Sequence, residues 1–201
     1  AGNLWSFTTG VEGVWEQVDA HETHTIAIKT SGTLYAWGEN DYGQLGLGDN
    51  ITRTSPTRVG TDSDWAQVSA GLRYTMAIKT DGTLWAWGWN SNGKLGIGAT
   101  GGIRTSPVQV GKDSDWAQVS AGEHHTLAIK TDGTLYSCGR NTWGQLGLND
   151  YTDRNVMPVS NTRRAEVTNK LYNALLEEGA NPDNIYFLSI HVNSERLKWR
   201  G

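Results

Sequence analysis

Short alternating and apolar runs recur along the chain, and the spacing of an amphipathic helix is missing from its first 150 residues. "HTIAIKT", from His24, is followed by "GTLYAWG", from Gly32. The pair returns as "YTMAIKT" and "GTLWAWG" after Tyr74, and as "HTLAIKT" and "GTLYSCG" after His125. These runs are rich in Thr, Ile, Leu, Tyr and Trp and are joined by Ser31-Gly32, Asp81-Gly82 or Asp132-Gly133, which predicts a tight β-hairpin. A run of the type "WAQVSAG" precedes each hairpin and one of the type "SPVQVG" comes after the first two, adding further short strands.

Four strands per unit and a period of 50 residues (Trp15 to Trp65), then 51 (Trp65 to Trp116), predict blades of a β-propeller, not a helical solenoid. The fold expected is therefore mainly β: a partial propeller of about three four-stranded blades over residues 14–160. "GNLWSFTTG" at the start matches a lone blade strand, so 1–13 is assigned to an incomplete blade. In "GQLGLG", Gly43, Gly46 and Gly48 fall in the long connection before the fourth strand, where positive φ or close backbone approach is expected.

Composition narrows the functional classes. A net charge of −4 supplies no basic field for a nucleic-acid backbone or an anionic membrane surface, so neither is expected as a partner. One cysteine, Cys138, excludes an intramolecular disulfide framework. It occupies the position of Trp37 and Trp87 in the other copies, so it reads as a small buried hydrophobe and not a nucleophile. His24 and His125 align with Tyr74, an exchange that suits packing or hydrogen bonding.

The blocks "HTLAIKTDGTLYAWG", "N-x-x-GQLGLG" and "SPVQV", recurring in order from about Gly2 to Pro158, resemble the repeats of the regulator-of-chromosome-condensation family. That resemblance implies a propeller, typically of seven blades, that binds partners through its loops. Family members differ in activity. No exchange-factor loop or basic chromatin-binding tail can be matched here, so no residue roles carry over. Three blades leave two blade faces and two sheet edges bare, and a second copy or further blades would complete the ring.

The copies differ from one another in two places. After the first strand they read His21-Glu22-Thr23, Gly71-Leu72-Arg73 and Gly122-Glu123-His124. After the third they read Glu39-Asn40-Asp41-Tyr42, Trp89-Asn90-Ser91-Asn92 and Arg140-Asn141-Thr142-Trp143. In an antiparallel meander both connections emerge at one edge, so the divergent positions share a face, while the "TDG" hairpins and "DSDW" links take structural duty on the other. Tyr42, Trp89 and Trp143 are expected as aromatic anchors, with Glu39, Asp41, Arg73 and Arg140 as polar rim. The reading is a non-enzymatic binding module, without cofactor, that recognises a protein or glycan through this face. An extracellular, cell-surface or virion-associated setting is expected for it.

From about Asn161 the composition changes. "TRRAEVTNKLYNALLEEG" places Val167, Leu171, Ala174 and Leu175 on one helical face, and "IYFLSIHV" reads as a buried strand ending at His191, so 161–201 forms a helix-strand α/β appendage. "FLSIHVNS" resembles the strand end of zinc-dependent N-acetylmuramoyl-L-alanine amidases, which implies a zinc-ligand role for His191. The alternative function is thus the targeting part and partial catalytic domain of a peptidoglycan hydrolase. Upstream ligands and a catalytic glutamate are not found in the sequence, and a chimera of two genes would also explain the abrupt change.

Overall fold

Each of the Ser-Gly and Asp-Gly pairs makes the turn its sequence predicts. In the computed structural model, which describes residues 13–157, Gly32 has φ +74° and its N–H donates to Lys29 O at 2.8 Å. Asp81 and Asp132 tighten the other two turns by accepting from the N–H groups of Thr83 and Thr134.

Eleven strands form among the described residues. The first sheet runs β1 (Trp15–His21), β2 (His24–Lys29), β3 (Leu34–Gly38) and β4 (Arg53–Arg58), each antiparallel to the next. The second repeats the order with β5 (Trp65–Gly71), β6 (Tyr74–Lys79), β7 (Leu84–Trp89) and β8 (Ile103–Gln109). The third holds β9 (Trp116–Ala121), β10 (His125–Lys130) and β11 (Leu135–Gly139). Among the described residues the expected fourth strand is represented by the bridge of Arg154 to Gly139, in the register by which Arg53 and Arg104 face Gly38 and Gly88. The positions equivalent to the end of β8 lie beyond Met157, outside the described residues.

Sheets pack face to face through alternate residues. Ile26, Ile28, Leu34 and Ala36 of the first meet Trp65, Val68, Ala70 and Trp87 of the second. Met76, Ile78, Leu84 and Ala86 of the second meet Trp116, Val119, Ala128 and Cys138 of the third. Cys138 does fill the tryptophan slot: Trp87 Nε1 donates to Gln44 O at 2.9 Å, and Cys138 Sγ to Lys94 O at 3.3 Å. Burial raises the pKa of this thiol, so it stays protonated and inert.

Polar side chains splice one sheet to the next. Gln17 bonds to both the carbonyl and the N–H of Val68, and Gln67 and Ser69 accept from Val119 and Ala121. His24 Nε2 meets Thr75 Oγ1 at 3.1 Å and Tyr74 OH meets Thr126 Oγ1 at 2.9 Å, so the histidine-for-tyrosine exchange preserves one hydrogen bond between neighbours. Burial, then His21, lowers the His24 pKa to about 4.

The hairpin edge carries a repeated brace. Lys79 Nζ reaches Asp62 at 2.6 Å and Asp64 at 3.1 Å while standing 4.8 Å from the Trp65 ring centre, and Lys130 repeats this with Asp113, Asp115 and Trp116. Burial opposes the charge of Lys79, but its bonds to the two aspartates outweigh that and raise its pKa. The structural duty expected of "DSDW" is this brace.

Candidate functional site

At the opposite edge, each sheet's first connection is tied to its third-strand end. Glu39 N donates to Thr23 O, Trp89 N to Arg73 O and Arg140 N to His124 O, all at 2.8 or 2.9 Å. The divergent stretches do therefore lie side by side within each repeat. What lets their neighbours vary is the asparagine common to all three loops. Asn40, Asn90 and Asn141 are fully buried, accept from the N–H of Leu45, Leu95 and Leu146, and donate to the carbonyls of Asp49, Ala99 and Asp150. The loop path is thus held from inside.

Four of the edge residues form one cluster that crosses two sheets. The rings of Tyr42 and Trp89 lie 5.2 Å apart, and the Arg73 guanidinium stands 4.6 Å from the first ring centre and 5.9 Å from the second. Arg73 Nη1 donates to Tyr42 OH at 3.2 Å, while its Nε is buried without a hydrogen-bond partner. Beneath them is Lys94, fully buried, whose Nζ donates to Leu72 O at 2.6 Å and Glu123 O at 3.3 Å and faces the rings of Tyr74 and Trp89. Burial, reinforced by Arg73, lowers its pKa to about 7. The sequence places Arg73 on the rim; in the structure it lies against both aromatic rings, because Tyr42 leans from the first repeat onto the second.

Lys94 escapes a reading of the sequence alone. The signal for it is a single exchange, "GKLG" where the other copies have "GQLG". Gln44 and Gln145 accept from the N–H groups of Tyr42 and Trp143. A lysine cannot accept, so Lys94 reaches across to two neighbouring turns.

Of the remaining residues named from sequence, Leu72 and Glu123 touch the cluster through their carbonyls, and the others stand outside it. His21 is half-buried, and Glu22 is exposed with φ +50°. Glu39 accepts from Thr23 Oγ1, and Asp41 is exposed. Ser91 and Asn92 form a 3-10 turn, where Asn92 Nδ2 reaches Asp153 at 3.1 Å. Glu123 stands 3.6 Å from His124, whose pKa is lowered by burial and by Lys94. Arg140 bonds to Thr142 Oγ1 at 2.9 Å.

Trp143 is 81% exposed. It occupies the loop position of Tyr42, which the next repeat covers; no fourth repeat comes after it among the described residues. No group of three or more metal-ligating side chains stands together among the described residues. His191 and the helix-strand assignment lie outside them.

Two descriptions of the "Regulator of chromosome condensation (RCC1) repeat" match the chain, one over residues 31–78, 81–129 and 132–168, the other over 17–44, 65–94 and 116–145. The Arabidopsis thaliana "Ultraviolet-B receptor UVR8" is 38% identical over 69% of the chain, and the Danio rerio "Protein RCC2 homolog" 33% over 68%. The chain spans 32% and 18% of their lengths. Yeast RCC1 (Prp20), in the structure titled "Crystal structure of Kap60 bound to yeast RCC1 (Prp20)", superposes with TM-score 0.64 at 25% identity, covering 73% of this chain and 36% of that one. Human WBSCR16 superposes with TM-score 0.62 at 25% identity, covering 71% and 38%. With its blades, its kept asparagines and its glycine loops accounted for by one repeat, this chain belongs to the RCC1 repeat family.

Proposed function

We propose that this chain is a non-enzymatic, protein-binding segment of a propeller, which meets its partner at the loop edge. The observation that carries the reading is the division of labour between edges. The hairpin edge repeats one lysine–aspartate brace. At the loop edge, by contrast, a kept asparagine fixes the path while the outward residues change from copy to copy. A surface that varies on a fixed frame suits recognition. The crystal of Kap60 bound to yeast RCC1 supports a protein as the partner class. The hydrolase alternative depends on His191, and no observation on the described residues favours it.

Cys138 is buried and is the chain's one cysteine, so a cysteine added at the surface is selectively labelled. A bulky polyethylene-glycol maleimide on Asp41→Cys or Glu123→Cys is expected to release a co-purifying protein partner, and the same label on Asp81→Cys or Asp132→Cys to leave it bound. Release from the hairpin edge alone would overturn the reading.

A further inference from the structure

The middle repeat is short of acid. From Ala66 to Gly111 its single carboxylate is Asp81, which belongs to the hairpin edge. At the loop edge the same repeat carries Arg73, Lys94 and Arg104. In the flanking repeats the arginine equivalent to Arg104 is paired, Arg53 with Asp49 and Arg154 with Asp150, each at 2.6 Å. Ala99 stands where that aspartate would be, and the Arg104 guanidinium bonds to the carbonyl of Ile103 instead. Neither Arg73 nor Arg104 has an ion-pair partner among the described residues.

The two arginines lie on one line across the sheet. Arg104 faces Gly88, Gly88 faces Tyr74, and Arg73 precedes Tyr74, so the two arginines are separated by about two strand spacings, roughly 10 Å. Arg73 is already ordered by Tyr42 and Trp89, which reduces the entropy lost when it takes up a ligand. Its Nη1 is taken up by Tyr42 OH, while its Nε is buried without an acceptor, so that nitrogen has been desolvated with nothing to offset the cost.

We propose that the loop edge of the middle repeat docks a short acidic segment of a protein partner, its carboxylates received by Arg73 and Arg104 and its remaining groups lying on the Tyr42 and Trp89 rings. Lys94 adds positive charge from below. The proposal rests on the protein-binding reading above and supplies the chemistry of the partner. A nucleic acid fits less well, because Glu39 and Asp41 on one side and Glu123 and Asp153 on the other bound the cationic strip, and a polyphosphate extending past it would meet them. A guanidinium pair matches carboxylates in fork geometry.

The probe is a fluorescein-labelled Gly-Ser peptide carrying a cluster of glutamates, titrated with the full chain by fluorescence anisotropy beside the same peptide with glutamines. The glutamate peptide is expected to bind at least about tenfold tighter, and Arg73→Gln to remove most of that margin. Lys94→Gln, which restores the glutamine of the other repeats, serves as the variant that keeps the fold. The charged and titratable groups facing Lys94 are Arg73, Glu123, His124 and Tyr74. With peptide carboxylates ionised throughout, wild type is expected to bind more tightly at about pH 6 than at about pH 8.5, and Lys94→Gln to flatten that difference. Equal affinity for the two peptides, an unchanged Arg73→Gln, or preference for a single-stranded oligonucleotide would overturn the proposal. If peptide binding fails while the polymer label at Asp41→Cys still releases a protein, the acidic segment is wrong and the protein-binding reading stands. If neither effect appears, both fall.

Discussion

Lys94 departs from its repeat by one side chain, and the departure makes stability depend on pH. Its folded pKa, lowered to about 7, lies below the ordinary lysine value of 10.5, so between these values the unfolded chain binds a proton that the folded chain does not. Stability contributed by this residue therefore rises with pH from about 7 to about 10.5 and is flat below that window. Wild type is expected to gain on Lys94→Gln when thermal unfolding is compared at about pH 7 and about pH 10; parallel pH profiles would refute the assignment. The glycines offer a cleaner contrast. Gly46 has φ +74°, and an added Cβ would stand 2.8 Å from Trp87 Nε1, whereas Gly98 has φ +83° with nothing within 4 Å. Gly98→Ala should cost about 1 kcal/mol from its backbone alone, and Gly46→Ala about 2 to 3 kcal/mol, as read by urea denaturation. Positive φ at these loop positions is legible in "GQLGLG"; the meaning of the Gln-to-Lys exchange is not, because its partners are carbonyls, which no sequence pattern marks.

At the scale of strands, the hairpins are legible because local turn chemistry fixes them. Asp81-Gly82 sets the register that leaves Trp85 opposite Ala77 and Leu84 opposite Ile78. Contacts between sheets are not legible. Nothing in "WAQVSAG" announces that Gln67 will accept from Val119 across the interface, or that Tyr42 will lean on Arg73 31 residues away. The third sheet shows the same limit from the other side: its sequence fades after Arg154, and only the bridge to Gly139 reveals that the outer strand still begins in register. Gln67→Ala leaves a partly buried N–H without its acceptor, and should cost about 1 to 2 kcal/mol in unfolding free energy. A loss below about 0.3 kcal/mol would show that water replaces the bond.

Across the molecule, sequence and structure agree on a row of blades with unlike ends. Val68 and Val119 are 2% and 5% exposed where a preceding sheet covers them, and Val18, at the same position of the first sheet, is 64% exposed. Leu127, Ile129 and Leu135 of the third sheet are half-buried, where Ile26, Ile28 and Leu34 are fully covered. Among the described residues, those that join one blade to the next are therefore present in the first and third sheets as well. Between the ends, the two edges differ in kind: one is braced identically by Lys79 and Lys130, the other carries arginines together with acids in the first and third repeats and cations without acids in the second. That difference is the basis for assigning recognition to the loop edge. The most direct test places a benzophenone photo-cross-linker on single cysteines at Asp41, Glu123, Asp81 and Asp132 and compares protein adducts by mass spectrometry. Recognition at the loop edge predicts adducts at Asp41→Cys and Glu123→Cys with none at Asp81→Cys and Asp132→Cys; adducts of equal yield at both edges, or at the hairpin edge alone, would contradict it.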